Sequence, residues 1–185
     1  MSNKRILIIG LGTHGKDSLA EILRDKYGMT FQSSSYAAAE LFIFDIMKDE
    51  HGYETVDDCF NDRHSHRDLW FKLICEYNKD DKAKLAKYII STSDIYVGMR
   101  DREELLECKR QGVFDIIYWV DSSKRVLYKE PLSSCTVTQD LADYTVDNNG
   151  SLKQLEYYAD AIYGMVTEDL SLQQKMVLEK QTITI

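Results

Sequence analysis

A short glycine-rich segment near the amino terminus constrains the fold of this chain more than any other feature. It lies between a continuous apolar run, residues 6–9, and a stretch with helical periodicity, residues 16–27. The apolar run is typical of a parallel strand that is buried on both faces. Lys16 follows the last glycine directly, so the spacing is G-x-x-x-x-G-K, as in loops that wrap around phosphate groups.

The ligand expected at this loop is a nucleoside triphosphate. Glycines let successive backbone N–H groups point inward at phosphate oxygens, and the helix that follows adds its partial positive charge. Lys16 is expected to reach the β- and γ-phosphates and to follow the transferred group. We therefore predict that the segment binds ATP. The predicted contacts come from Gly10, Gly12, Thr13, His14, Gly15, Lys16, Asp17 and Ser18.

The residue after the lysine departs from the usual pattern, in which a Ser or Thr hydroxyl ligates Mg²⁺. Here it is Asp17, with Ser18 next. A carboxylate is a suitable oxygen ligand for Mg²⁺, so we predict that Asp17 holds the metal directly or through water. Asp121 either contributes to the metal's surroundings or caps the next helix. The same glycines also fit a dinucleotide-binding G-x-G-x-x-G loop, but no acidic residue closes a clear second strand about twenty residues on.

Strands alternate with helices along the rest of the chain. This alternation predicts an α/β fold with a mostly parallel, five-stranded sheet and helices on both faces. We expect a single domain over residues 1–170 and a C-terminal tail over residues 171–185. The strands are predicted at 6–9, 29–31, 95–97, 114–120 and 144–146, and the helices at 16–27, 36–48, 64–77, 80–91, 101–111 and 151–166, with a further short helix after Thr55.

Residues that follow the strands are candidates for binding a phosphate acceptor, since ligands of parallel sheets bind at the carboxyl ends of strands. Ser33, Ser34 and Ser35 follow the second strand, although capping of the next helix also explains them. Arg100 follows the strand at 95–97, whereas Arg102 can pair with nearby glutamates.

A second group of basic residues lies in the segment from Asp62 to Arg67. Two arginines there, about one helical turn apart, can grip a phosphate by forked hydrogen bonds. The candidates are Arg63, His66 and Arg67. The acceptor-binding helical region is therefore predicted at about residues 33–92.

Lys124 and Arg125 follow the strand at 114–120. They either close over the triphosphate in a short lid, about residues 122–140, or form a basic first turn with no such role.

The charge and composition make a DNA-gripping domain, a membrane-spanning protein and a C-x-x-C site less expected. The formal charge is −8, whereas a domain that grips duplex DNA by its phosphates usually has a basic face. No apolar stretch approaches the length of a membrane span. The four cysteines form no C-x-x-C pair. We therefore expect a cytoplasmic protein with reduced thiols and no membrane partner. A homodimer through an exposed apolar helix face is compatible with the sequence but has no specific signal.

Several segments occur in an order that resembles a known family. They are GLGTHGKDS, SSSYAAAE, DRHSHRDLW, IYVGMRDREEL, FDIIYWVDSSKR and ADYTVDNNGSLKQL. Over roughly residues 4–160, the chain resembles the bacteriophage deoxynucleoside monophosphate kinases and related phage kinases of the adenylate-kinase-like group. The resemblance implies a P-loop kinase three-layer sandwich that uses ATP and Mg²⁺ in the cytoplasm of the phage's host. It also implies an acceptor bound beside Ser33–Ser35, Arg67 and Arg100.

The region of the expected lid departs from this family. Residues 122–140 contain a single arginine, Arg125, whereas many nucleotide kinases of this class have several there. Some phage relatives are thought to phosphorylate 5-hydroxymethyluracil within DNA, and the HSHRDLW and YVGMR segments resemble those at least as much. The acceptor is therefore either a free nucleotide or a base in DNA.

The mechanism expected from these residues is in-line phosphate transfer. Lys16, Mg²⁺ and Arg125 would neutralise the moving phosphoryl group, while Arg67 and Arg100 would fix the acceptor. A monophosphate acceptor needs no strong general base, whereas a hydroxymethyl acceptor must lose a proton. The candidate bases are Asp62, His64, His66 and Asp94. A non-catalytic nucleotide-binding switch and a dinucleotide-dependent oxidoreductase also remain open.

Overall fold

The computed structural model describes residues 4–127 and 135–167, and its centre is a parallel sheet. The strands are β1 (Ile6–Ile9), β2 (Phe31–Ser33), β3 (Ile95–Val97), β4 (Ile116–Asp121) and β5 (Tyr144–Asp147). They are arranged in the order β2-β3-β1-β4-β5, so the first strand is the central one. All neighbouring pairs are parallel, and Ile8 of β1 pairs with Val97 of β3 and Tyr118 of β4.

The helices connect these strands and cover both faces of the sheet. They are α1 (Lys16–Tyr27), α2 (Ser34–Ala38), α3 (Phe44–His51), α4 (Val56–Asp62), α5 (Arg67–Tyr77), α6 (Lys84–Thr92), α7 (Arg102–Arg110) and α8 (Leu152–Thr167). A π-helical turn, Ala39–Ile43, joins α2 to α3. A 3₁₀ turn, Gln139–Leu141, precedes β5.

The alternation of side chains along β1 explains the three layers. Ile6 and Ile8 point to one face, where they belong to a core shared with α1 and α8. Leu7 and Ile9 point to the other face and pack in a second core with α6 and α7. All four side chains are fully buried, which requires helices on both sides of the sheet. The expected α/β three-layer fold is confirmed, and the sheet is parallel throughout.

A third core lies outside the sheet, among α2, α3, α4 and α5. It is built around Ala39, Ile43, Met47, Cys59 and Trp70, all of them buried. This cluster fixes the helices that follow β2, which is the region where the acceptor is expected. Because these helices have their own core, they form a firm wall beside the carboxyl end of the sheet.

Several predicted boundaries are wrong by a few residues. The second strand was predicted at 29–31 but lies at Phe31–Ser33, where it pairs with β3. The following helix starts at Ser34, because Ser33 caps it by accepting a hydrogen bond from the backbone N–H of Tyr36. The helix predicted from residue 64 starts at Arg67, after a series of turns. The one predicted from residue 80 starts at Lys84.

Part of the sequence-based scheme falls outside the described residues. Residues 128–134 of the predicted lid and the predicted tail at 171–185 belong to this part. The division into one domain and a tail therefore stays a prediction. Among the described residues, no helix is long and apolar enough to cross a membrane.

Candidate functional site

The loop between β1 and α1 has a backbone conformation that depends on glycine. Gly10 and Gly15 have φ angles of +146° and +93°. A Cβ on Gly10 would lie 2.5 Å from the carbonyl oxygen of Val120, and one on Gly15 would lie 2.2 Å from Nδ2 of Asn148. Thr13, between them, also has a positive φ, +63°, the sole case outside glycine among the described residues. The loop therefore holds the curled conformation that points backbone N–H groups inward.

His14 fastens this loop to the ends of β4 and β5. Its side chain is buried, and its Nδ1 accepts a hydrogen bond of 3.0 Å from the backbone N–H of Ser122. The carbonyl oxygen of His14 accepts from the Ser122 hydroxyl at 3.2 Å and from Nδ2 of Asn148 at 2.9 Å. The structure thus gives this side chain a positioning role, and sequence analysis had placed it among the phosphate contacts.

Lys16 begins α1 and lines a cavity at the mouth of the loop. Its ammonium group donates a 2.7 Å hydrogen bond to the carbonyl oxygen of Leu11, and the side chain is almost completely buried. Asp17 lines the same cavity, together with Gly12 and Thr13. Ser18 is exposed and does not line it. Of the two metal candidates in the loop, the carboxylate is therefore the one that faces this space.

Two adjoining cavities extend from the loop to the helices that follow β2. The loop cavity contains Lys16 and Asp17, and the inner cavity reaches Glu104. They adjoin at a shared wall. It consists of Ser34, Ser35, Arg63, His64, Arg67, Gly98 and Arg100. The structure therefore brings together the residues that follow β1, β2 and β3, as the topology predicts.

Arginine side chains dominate this shared wall. The guanidinium of Arg63 lies 3.8 Å from the ring centroid of Phe60 and donates to its carbonyl oxygen. Burial lowers the pKa of Arg63, and the charges of Arg67 and Arg100 lower it further, while Asp17 opposes this effect. An anion placed among these cations would interact favourably with all of them. The arrangement is therefore suited to an anionic ligand.

Serines of the β2 end complete the wall in different ways. The Ser34 hydroxyl donates a 2.9 Å hydrogen bond to the carbonyl oxygen of Gly98, which ties the β2 end to the β3 end. Ser33 lines the loop cavity and caps α2 through its hydroxyl. Both alternatives weighed from the sequence, capping and facing the ligand, thus apply to this serine.

Other predicted residues lie away from the two cavities. Nε2 of His66 lies at hydrogen-bond distance, 3.1 Å, from Oδ2 of Asp62. Asp62 also accepts hydrogen bonds from Tyr53 and Ser65. Neither His66 nor Asp62 lines either cavity. Asp94 precedes β3, at the opposite edge of the sheet, where its carboxylate accepts from Thr30. Arg102 turns towards Thr136 and Thr138.

The turn after β4 holds Asp121 and Arg125 beside the loop without placing them in its cavity. The carboxylate of Asp121 accepts hydrogen bonds from the backbone and hydroxyl of Ser123 and from Nδ2 of Asn149. Arg125 is exposed, and its Nε donates to the Ser122 hydroxyl at 3.3 Å. Because Ser122 contacts His14, Arg125 is adjacent to the glycine-rich loop, whereas Asp121 accepts the hydrogen bonds that shape the turn.

Sequence analysis missed the polar group at the far end of the inner cavity. Glu104 is buried, and Nδ2 of Asn78 donates a 2.7 Å hydrogen bond to its Oε1. Burial raises the pKa of Glu104 to about 7. Glu104 lies on the buried face of α7 with Leu105 and Cys108, but the charged composition of this helix gives no sign that one of its glutamates is buried.

Asp101 and Cys75 lie beside Glu104. Asp101 caps α7 and accepts hydrogen bonds from Thr136 and, weakly, from the Cys75 thiol. Burial raises the pKa of Cys75 to about 11, which favours the thiol. Asp101 and the neutral Cys75 thiol therefore form a hydrogen-bonded pair beside Glu104.

Comparison with known proteins finds similarity in structure alone. No protein-family model matches the chain, and no curated protein is significantly similar in sequence. A gluconokinase from Sinorhizobium meliloti 1021 aligns with 17% identity and a TM-score of 0.49 over 92% of this chain and 97% of that one. A shikimate kinase from Acinetobacter baumannii, in complex with shikimate, aligns with 12% identity and a TM-score of 0.48 over 91% and 95%.

A sugar kinase from Janibacter sp. HTCC2649 aligns with 17% identity and a TM-score of 0.40, over 85% of this chain and 92% of that chain. At TM-scores below 0.5, these similarities decide neither the activity nor the acceptor of this chain.

Proposed function

We propose that this protein is an ATP-dependent phosphotransferase whose acceptor itself carries a phosphate. The observation that carries the proposal is the convergence of Lys16 and a group of arginines on the loop cavity. The lysine belongs to a glycine-rich loop at a helix start, which favours a triphosphate. The arginines, Arg63, Arg67 and Arg100, stand on the acceptor side of the same space. An anion on each side would interact favourably with these cations.

The donor half of the proposal rests on the loop after β1. Backbone N–H groups of residues 10–16 would hold the β- and γ-phosphates, and Lys16 would exchange the Leu11 carbonyl for a phosphate oxygen. Asp17 would hold Mg²⁺, which supplies charge neutralisation on the triphosphate. Arg125 is close enough to the loop to approach the phosphates from the β4 side.

The acceptor half favours a free deoxynucleoside monophosphate over a hydroxymethyl group in DNA. A monophosphate oxygen is already an anion, so its attack on the γ-phosphate needs no strong general base. Of the bases considered for a hydroxymethyl acceptor, Asp62, His66 and Asp94 lie outside both cavities, and His64 alone lines them. The three arginines, by contrast, match a dianionic phosphate. A monophosphate acceptor therefore uses more of the site.

The test is transfer of label from γ-labelled ATP in the presence of Mg²⁺. The acceptors are the deoxynucleoside monophosphates, including the hydroxymethyluracil form, DNA containing hydroxymethyluracil, and shikimate. We expect label in a nucleoside diphosphate. Lys16→Ala should abolish nearly all transfer, while Lys72→Ala, at an exposed lysine of α5, should behave as the parent chain.

Other outcomes would redirect the assignment. Label retained on DNA would make the protein a DNA-base kinase with His64 as the candidate base. Label on shikimate would remove the nucleotide acceptor from the proposal. Free phosphate without any labelled acceptor would indicate a nucleotide-binding switch, and saturable NAD binding without ATP binding would contradict the phosphotransferase outright.

A further inference from the structure

The inner cavity ends at a polar pair whose orientation is fixed. Asn78 and Glu104 are both buried, and Oδ1 of Asn78 accepts a 3.0 Å hydrogen bond from the backbone N–H of Leu85. Because a backbone N–H can only donate, the amide must present its oxygen to Leu85 and its NH₂ to Glu104. Oε1 of Glu104 is therefore an acceptor. Among the described residues, no hydrogen bond is made to Oε2.

An apolar wall flanks this pair. Trp70, Phe71 and Ile74 of α5 line the inner cavity together with Glu104. Trp70 is almost fully buried, and its indole N–H has no hydrogen-bond partner within the described part of the chain. Buried donors are nearly always satisfied in folded proteins. The indole nitrogen is itself buried, so the cavity presents to a ligand the apolar surface of these side chains and the carboxyl group of Glu104.

The positions of these groups define a ligand with two different ends. We call the shared wall, which carries Arg63, Arg67 and Arg100, the arginine wall. It lies between the loop cavity and the inner cavity, so a phosphate bound there leaves the rest of the ligand in the inner cavity. That space offers an aromatic and aliphatic wall and a carboxyl group at its end. A flat ring with a hydrogen-bonding edge fits such a space, because its faces are apolar and its edge is polar.

We propose that Glu104 determines acceptor specificity by reading the hydrogen-bonding edge of the acceptor's nitrogen heterocycle, held between the arginine wall and α7. This inference rests on the proposed function and names the part of the acceptor beyond its phosphate. Glu104 donates from Oε2–H to a ring carbonyl or ring nitrogen, and Oε1 accepts from the neighbouring N–H. Asn78 fixes the carboxyl group in the plane required for both bonds.

The surroundings of Glu104 favour the neutral acid that this pairing needs. Burial and the charge of Asp101 raise its pKa, the hydrogen bond from Asn78 and the charge of Lys82 lower it, and the net result is a pKa of about 7. The other titratable groups that face it are Cys75 of α5, Tyr96 of β3 and Cys108 of α7, each with a raised pKa and hence neutral. With a pKa of about 7, the neutral fraction falls about tenfold between about pH 6 and about pH 8.

The experiment measures equilibrium binding by calorimetry, without ATP, so that it does not depend on catalysis. The probes are dTMP, dCMP, dAMP and dGMP, with deoxyribose 5-phosphate as a ligand that has the phosphate and no ring. Glu104→Leu should weaken binding of the preferred nucleotide by about tenfold or more, because it leaves polar groups unpaired. It should leave deoxyribose 5-phosphate unchanged.

Glu104→Gln is the matched variant, since an amide always offers one donor and one acceptor. It should bind the nucleotide like the neutral acid, and the ratio of wild-type to variant dissociation constants should rise about tenfold from about pH 6 to about pH 8. Taking the ratio removes the titration of the ligand's own phosphate. Glu103→Gln, at the exposed neighbouring position, should match the wild type at every pH.

Each result has a distinct meaning. Unchanged nucleotide binding in Glu104→Leu, an equal loss of deoxyribose 5-phosphate binding, or a flat ratio with pH would overturn the inference. Failure of the wild-type chain to bind any of the nucleotides would overturn it as well, even if ATP still binds. Ring-dependent and pH-dependent binding without any phosphate transfer would support the role of Glu104 and would instead contradict the proposed function.

Discussion

Two kinds of ionisable side chain lie in the candidate site. Burial lowers the pKa of Arg63 and raises the pKa of Glu104. The arginines of the shared wall remain cations because their intrinsic pKa is so high, and burial lowers the pKa of Arg63 without neutralising it. Glu104 has a pKa of about 7, so below that pH it is mostly the neutral acid. The site therefore presents fixed positive charge at one end and a carboxyl group sensitive to pH at the other.

The raised pKa of Glu104 predicts how stability depends on pH. Between its ordinary value of 4.5 and about 7, the folded chain keeps a proton that the unfolded chain releases. Stability therefore falls as pH rises through this window and levels off above it. Glu104→Gln cannot ionise, so it should exceed the wild type in unfolding free energy by roughly 2–3 kcal/mol at about pH 8 and by little at about pH 4. Urea unfolding at both pH values measures this difference, and parallel pH curves for the two proteins would contradict it.

Substitution of Arg100 should change the KM for the acceptor much more than the KM for ATP. Its position on the shared wall, at the end of β3, places it on the acceptor side. Arg100→Ala should raise the acceptor KM by about tenfold to a hundredfold and leave the ATP KM within about twofold, because a charge-assisted hydrogen bond to one substrate is lost. Steady-state kinetics with each substrate varied in turn measures both. Arg110→Ala, at an exposed arginine of α7, is the control, and an equal loss for both substrates would assign Arg100 a structural role.

At the scale of structural elements, the loop between β1 and α1 is constrained by neighbours on two sides. It is held at Gly10 by β4 and at Gly15 by the turn after β5. His14 adds hydrogen bonds to both. The loop conformation is therefore a property of three elements together.

A pair of glycine substitutions tests this constraint. Gly15 and Gly112 both have positive φ, but a Cβ on Gly112 meets nothing within 4 Å, whereas one on Gly15 meets Asn148. Gly112→Ala should cost about 1 kcal/mol from backbone strain alone. Gly15→Ala should cost about 1–3 kcal/mol more and weaken ATP binding. Thermal unfolding and nucleotide titration compare them. Equal costs in the two variants, with ATP affinity intact, would show that Asn148 moves aside freely.

The sequence predicted those elements whose signal is local. β1 and β4 are continuous apolar runs, and α1 begins at the lysine of the glycine-rich loop, so each is visible without its neighbours. β2 was misplaced because Gln32 and Ser33 have no apolar pattern, and pairing with β3 decides where the strand lies. The π turn at Ala39–Ile43 has no recognised sequence signal.

The candidate site was predictable to the extent that it follows strand ends. Arg100 and the serines after β2 were predicted from the rule that ligands bind at the carboxyl ends of parallel strands, and the structure brings them to one cavity. Glu104 was not predicted, because a glutamate within REELLECKR is typical of a solvated helix. Its burial depends on Asn78, which comes from a distant helix end, and that contact is tertiary.

At the scale of the whole molecule, the formal charge of −8 makes a prediction about nucleic acid. Affinity for duplex DNA comes largely from the release of counter-ions by a basic surface. The chain should therefore show no saturable binding to unmodified duplex DNA at physiological salt, and little dependence of residual binding on salt. Fluorescence anisotropy over a salt series measures both. A steep loss of affinity with salt would instead reveal a basic path across the surface and would favour DNA as the acceptor.

The central position of β1 has a consequence for how such a protein diversifies. Elements on the β2–β3 side supply the arginine wall and the inner cavity, and elements on the β4–β5 side supply the turns that fasten the loop. Both halves flank the strand and loop they share. Acceptor preference can therefore drift through changes in α5 and α7 while the β4 and β5 turns stay under purifying selection. A laboratory search for new acceptors should randomise the former and leave the latter untouched.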